Sequence, residues 1–217
     1  MIVSYPDYFV RRSAKLLTAP ASEPVTRDEA KAHLRIESAV TTDDSLIDGL
    51  ITAARQWVES YIGKALITQT WQVAYDGGAL DDLFLQDSAA YAYPQRAISL
   101  PIGPNASSVS VTTYDDSDSA TVFSTSNYYV DQISDPPRLV LRNGASWPTP
   151  GRDGNGMIIQ YTCGYGSAAA VPEAIKAAVK MLVAQMYEYR GEDEAATLAQ
   201  PSFAVKALLQ PYCPVRL

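Results

Sequence analysis

The chain has 217 residues, 47% of them hydrophobic and 19% charged, with a formal net charge of −7. That length and balance fit one large domain or two small ones with a sizeable core, and they exclude a disordered chain. No apolar run is long enough to span a membrane, and a pI of about 4.7 is ill suited to gripping DNA or an anionic membrane, which takes clustered Lys and Arg. DNA passing close by without being held stays compatible with it.

Residues 1–14 are mixed and aromatic and read as an arm that docks on something else. Lys15 to Ala19 has the character of a short strand, and Pro20 to Pro24 of a loop. Thr26 with Glu29 three positions on is a capping box, opening a helix near 26–36 with Ala30, Leu34 and Ile36 on its apolar side. The stretch DDSLIDGLITAARQWVESYIG predicts a long amphipathic helix near 43–62. Leu46, Ile47, Leu50, Ile51, Ala54, Trp57, Val58, Tyr61 and Ile62 recur at three- and four-residue spacing. Asp48, Thr52, Arg55, Gln56 and Glu59 fall on the other side. Thr42 or Asp43 suits the start, and Gly63 the left-handed end.

From Gln69 to Thr162 the character is β. Short alternating runs at 69–76, 83–86, 97–100, 107–114, 120–123, 127–131, 138–141 and 157–162 are separated by Gly, Pro, Ser and Asp. This spacing predicts an antiparallel sandwich-like insert rather than βαβ units. Helix returns near 172–189, with Pro172 at its start and Ile175, Ala178, Val179, Leu182, Val183, Met186 and Tyr189 on one face. A polar stretch, 192–200, leads to a last helix near 202–210 and a Pro-stiffened tail, PYCPVRL. The reading is therefore α+β: residues 1–68 and 163–217 as a helical core with an N-terminal arm and a C-terminal tail, and residues 69–162 as a β insert.

Chemistry is hard to place on this chain. Any Ser-His-Asp or Cys-His mechanism must use His33, which sits on a helix with no matching partner at helical spacing. Cys163 and Cys213 lie far apart, giving neither a disulfide framework nor a metal spacing, and are expected as free thiols in a reducing compartment. The opening sequence lacks a signal peptide, so a cytoplasmically made soluble protein is expected. Asp115, Asp116 and Asp118 start like a calcium loop, but the Gly and Glu that such a loop needs are missing; a turn is expected. Gly164-Tyr165-Gly166-Ser167-Ala168-Ala169 fits a GxGxxA pattern, yet it follows antiparallel strands and reads as a glycine-rich turn from sheet to helix. No cofactor or metal is expected.

Several stretches together carry a resemblance. EPVTRDEAKAHLRI, DDSLIDGLITAARQWVESYIGKALITQTWQ, YYVDQISDPPRLVLRNGASWP, IIQYTCGYG, VPEAIKAAVKMLVAQMYEYR and VKALLQPY resemble the head–tail connector (adaptor) family of long-tailed phages, prophages and gene-transfer agents. The resemblance runs from about Leu17 to Tyr212 and implies a non-enzymatic virion part. It implies a homo-oligomeric ring, usually of twelve, under the portal protein at the neck of the particle. Such a ring extends the DNA channel without sequence-specific binding, and docks the next head-completion (stopper) or tail protein. Membranes play no part.

Carried onto this chain, the segment that would reach the portal is Pro201 to Leu217, which makes Leu208, Leu209, Tyr212, Val215 and Leu217 candidate contacts. Asp43, Asp44, Asp48, Arg55 and Glu59, on the polar side of the long helix, are candidates for the channel wall or for subunit contact. A competing reading uses the Tyr-, Trp- and Asp-containing loops of the β insert as a tail-associated module for carbohydrate or host-surface binding.

Overall fold

The computed structural model describes residues 12–77, 96–189 and 201–214. The chain divides into two compact units, one of residues 20–68 and 164–217 and the other of residues 1–19 and 69–163.

The first unit is helical. Helix α1, Arg27–Leu34, opens on the expected capping box: Glu29 N–H donates to the Thr26 hydroxyl, and Thr26 N–H donates to the Glu29 carboxylate. Arg35, at φ 59°, takes the left-handed position that ends it. Helix α2, Asp44–Ile62, ends on Gly63 at φ 67°, where the missing Cβ removes the usual left-handed penalty. Helix α3 is Glu173–Glu188, and helix α4, Phe203–Leu209, is capped by the Ser202 hydroxyl accepting from Val205 N–H. Helix α2 packs on α3, α1 packs on both, and α3 carries α4. Ile47, Ile51, Ala54, Val58 and Ile62 of α2 are buried together with Ile175, Ala178, Val179, Leu182 and Val183 of α3 and Val205 and Leu209 of α4.

Some expectations for these helices change. Leu46 and Tyr61 lie at the border of the apolar stripe and are exposed, and Tyr189, expected on the apolar face of α3, follows that helix and is exposed as well. Arg55, assigned to the polar side, is buried at 6% exposure. Asp43 precedes α2 without a side-chain cap bond. Pro172 precedes α3 rather than joining its first turn, and Lys176 is buried. Ile36 falls beyond the end of α1 and packs on the core from there.

The second unit contains two antiparallel sheets. Strands β1 (Arg12–Thr18), β2 (Gln69–Tyr75), β4 (Ser107–Tyr114), β5 (Ala120–Phe123) and β8 (Met157–Cys163) form a five-stranded sheet in the order β1-β2-β8-β4-β5. Strands β3 (Ala97–Ser99), β6 (Tyr128–Asp131) and β7 (Arg138–Leu141) form a three-stranded one in the order β3-β7-β6. The two-residue period selects the inner faces: Met157, Ile159 and Tyr161 of β8 and Leu139 and Leu141 of β7 are buried. Hydrogen bonds join the sheets across that layer, from Tyr75 Oη to Ser99 O at 3.2 Å and from Tyr128 Oη to Val109 O at 3.0 Å.

The strand positions follow the alternation closely, and the 83–86 run lies outside the described residues. The N-terminal segment differs from expectation. Instead of standing with the helices, the strand begins at Arg12 and pairs antiparallel with β2, so this end of the chain belongs with the sheets. Sequence period sees a strand but not which strand it joins.

Ile51 is fully surrounded in the helical core at 2% exposure. Ile51→Ala is expected to cost about 2–5 kcal/mol, read as a lower urea midpoint at unchanged slope.

Candidate assembly surfaces

The polar side of α2 splits into two charge clusters. At its start, Asp44 accepts from Arg27 Nη1 at 3.1 Å and pairs with Lys31 Nζ at 2.5 Å. Asp48 accepts from Arg27 Nε at 2.8 Å and from Arg27 Nη2. Those bonds hold the Asp48 carboxyl below its ordinary pKa and the Arg27 guanidinium above its own. Asp43 accepts a 2.5 Å hydrogen bond from the Tyr187 hydroxyl on α3. Lys31 is 2% exposed and also donates to the Ser38 and Val40 carbonyls, fixing the turn between α1 and α2. Three carboxylates thus face two cations, a small acidic excess at this end of the helix.

The second cluster is internal. Arg55 Nε donates to Glu23 Oε2 and Nη1 to Glu59 Oε2, both at 2.7 Å. Thr52 Oγ1 donates to the other Glu23 oxygen at 2.9 Å, and Leu66 N–H to the other Glu59 oxygen at 2.9 Å. Arg55 and Glu59 therefore secure the unit itself, and the five candidate face residues do not form one continuous surface.

The C-terminal candidates divide similarly. Leu209 is fully buried in its own unit, and Leu208 and Tyr212 pack half-buried against that core. Val215 and Leu217 lie outside the described residues. The exposed apolar side chain of this segment is Phe203, 87% open to solvent at the first position of α4. The sheet unit has a counterpart in Ile133, 98% exposed on the turn between β6 and β7. That turn is rigid: Asp131 accepts from the Ile133 and Ser134 amides, from the Ser134 hydroxyl at 2.7 Å, and from Arg138 Nη2 at 2.7 Å. Neither Phe203 nor Ile133 has a sequence signal beyond being a lone apolar residue beside polar ones.

The remaining motifs resolve into structure. Asp115 Oδ1 accepts from the amides of Ser117 and Ser119, both at 2.9 Å, which makes the aspartate run a self-bonded turn. No cluster of three or more metal-binding side chains occurs among the described residues, and none of their helices is long and apolar enough to cross a membrane. At Gly164, φ is +128° and a Cβ would sit 2.5 Å from the Ile67 carbonyl oxygen, so the glycine serves backbone packing. His33 is exposed on α1. Tyr128 is buried, whereas Tyr129 is exposed beneath the Arg142 guanidinium; Tyr91 and Tyr93 lie outside the described residues.

Residues 25–131 match the model of the phage gp6-like head-tail connector protein family. That stretch is similar to this family. The match takes in α1, α2 and the strands as far as β6, so it draws on both units of the chain. No curated protein matches the chain.

Solved structures share the fold over nearly the whole length. One, the neck of an empty GTA particle computed with C6 symmetry, contains a chain 24% identical, with a TM-score of 0.71, covering 94% of this chain and 97% of that one. A chain in the virion of a native gene transfer agent particle is 24% identical, with a TM-score of 0.70, covering 94% and 96%. A third, from the neck of a native GTA particle computed with C12 symmetry, is 23% identical, with a TM-score of 0.68, covering 94% and 97%.

The Asp131 clamp has a pH signature. Hydrogen bonds from Ser134 and then Arg138 lower its pKa from 3.8 to about 2. A carboxyl depressed on folding stabilises above its unfolded value and loses that contribution as pH falls through the folded one. Stability of the protein is expected to fall between about pH 4 and pH 2, with a shallower fall in Asp131→Asn, measured by thermal unfolding across that range.

Proposed function

We propose that this connector is a structural neck protein that forms a homo-oligomeric ring under the portal, extends the DNA channel and docks the next head-completion or tail protein. The observation that carries this reading is the family match combined with a fold shared almost end to end with chains from particle necks. Those necks were computed with sixfold and twelvefold symmetry, which supports a closed ring of identical subunits. A net charge of −7 suits a conduit, since a basic lumen would hold phosphates by counterion release and slow the passage of DNA.

In this reading, Asp43, Asp44 and Asp48 with Arg27 and Lys31 present a locked, mildly acidic end of α2 to the channel or to a neighbour. The portal contact comes from the outer side of the C-terminal segment. Phe203, Leu208 and Tyr212 provide apolar area, with Val215 and Leu217 as further candidate contacts, while Leu209 anchors the segment at home. An exposed phenylalanine costs the free subunit solvation and contributes most when a partner covers it.

Phe203→Asp is expected to leave the urea midpoint within about 0.5 kcal/mol of wild type while abolishing incorporation of the protein into particles, seen as an empty position at the neck by electron microscopy. Normal incorporation of the variant, or absence of the wild-type protein from the neck, overturns the corresponding part of the proposal.

A further inference from the structure

Asparagine is followed by glycine twice in the sequence, at Asn143-Gly144 and Asn155-Gly156. Such a pair can react with itself. The glycine main-chain nitrogen, on losing its proton, attacks the asparagine Cγ. A C–N bond forms, ammonia leaves and a cyclic succinimide results. Water then opens either of the two ring C–N bonds that carry a carbonyl, giving aspartate or isoaspartate. One amide and one water become one carboxylate and one ammonia, with no oxidant or reductant. Glycine favours the step because it has no side chain to block the approach and its φ is free to change. The step also needs the asparagine main chain to rotate, so hydrogen bonds at that residue oppose it.

The two pairs differ in that respect. Asn143 and Gly144 are both exposed and occupy the centre of the turn after β7. Ala145 N–H donates to Arg142 O at 3.1 Å to close this turn, and Gly144 has φ +82°, the geometry of a type II turn. Among the described residues nothing bonds the Asn143 side chain, the Asn143 main chain or the Gly144 N–H. A Cβ built on Gly144 would meet no atom within 4 Å. Asn155 is held at both ends instead. Its N–H donates to Asp76 Oδ1 at 2.9 Å, and its carbonyl accepts from Arg152 Nη2 at 2.6 Å. Gly156 is buried against Arg152 O, Pro150 and Gly77, and its own carbonyl accepts from Tyr114 N–H at 2.9 Å. The same dipeptide is loose in one turn and clamped in the other.

We propose that Asn143 is a self-modification site, converting through the Gly144 nitrogen and water to aspartate and isoaspartate, while the Asp76 and Arg152 bonds protect Asn155. The reaction stays within one chain and does not depend on the ring reading. Its product places a carboxylate next to Arg142, whose guanidinium lies 5.7 Å from the centre of the Tyr129 ring. Isoaspartate also inserts a methylene into the main chain of the turn. The Tyr129–Arg142 surface of an aged chain therefore differs in charge and shape from that of a fresh one.

The test follows purified full-length protein stored at mildly alkaline pH in heavy-oxygen water, with aliquots digested by trypsin and read by mass spectrometry. Cleavage after Arg142 and Arg152 puts the two pairs on separate peptides. Heavy oxygen marks conversion that took place before digestion, and fragmentation separates isoaspartate from aspartate. In the folded protein Asn143 is expected to convert about tenfold faster than Asn155 or more, since two hydrogen bonds of about 1 kcal/mol each must open at Asn155. In urea the two rates converge. Asp76→Ala removes one hold and is expected to speed Asn155 about fivefold, with the urea midpoint verifying that the variant is folded. Asn143→Gln leaves the first peptide unmarked, because its longer side chain closes the ring poorly. An Asn143 that stays intact in the folded protein while converting in urea overturns the site. Equal rates in the folded protein, a difference that persists in urea, or no gain at Asn155 in Asp76→Ala overturns the protection.

Discussion

A single guanidinium ties the helical unit together. Arg55 bonds Glu23 from the segment ahead of α1 and Glu59 one turn further along α2, and Glu59 in turn receives Leu66 N–H from the chain leaving the helix. Entry, helix and exit thus meet at one buried charge. Desolvating arginine is unfavourable unless its partners are fixed, and here the Glu23 carboxylate is held by Thr52 as well. The apolar face of α2 provides most of the burial, but it does not by itself set where the flanking segments lie. The charge network does, tying Glu23 ahead of α1 and Leu66 beyond α2 to the helix.

That network explains where sequence reasoning succeeded and where it stopped. The helices and most strands were legible because their period is local: Met157, Ile159 and Tyr161 alternate inward, and Ile47, Ile51, Ala54 and Val58 recur on one helical stripe. Arg55 was misplaced because a hydrophobic period counts every guanidinium as polar. A long apolar stem lets arginine be buried when two carboxylates wait for it, and Glu23 comes from outside the helix. The same non-locality hid the partner of β1. A seven-residue strand is visible in the sequence, but its pairing with β2 spans a whole helical segment.

The surfaces were less legible than the core. Leu208 and Leu209 look alike in sequence, yet one is half-buried and the other fully enclosed, because neighbouring positions on a helix point about 100° apart and only one of them faces the core. Phe203 stands outside because the Ser202 cap fixes the first turn and turns Val205, not Phe203, inward. Ile133 has no periodic neighbours at all. Burial is a collective property that patterns approximate; exposure of one large apolar side chain is not.

The glycine at position 164 has a consequence for how such a protein can change. Its backbone lies against Ile67, Thr68 N–H reaches Gly166 O at 3.1 Å, and Gln69 pairs with Cys163. The points where the chain leaves the helical unit for β2 and comes back from β8 therefore lie side by side. Splicing residue 68 to residue 164 through a few glycines would close a loop whose ends already touch, so the entropy of closure is small. The strand at residues 12–18 would have to go too, since it would lose β2. Within those limits the sheets form an exchangeable cassette, free to vary in size and surface while the helices keep their packing.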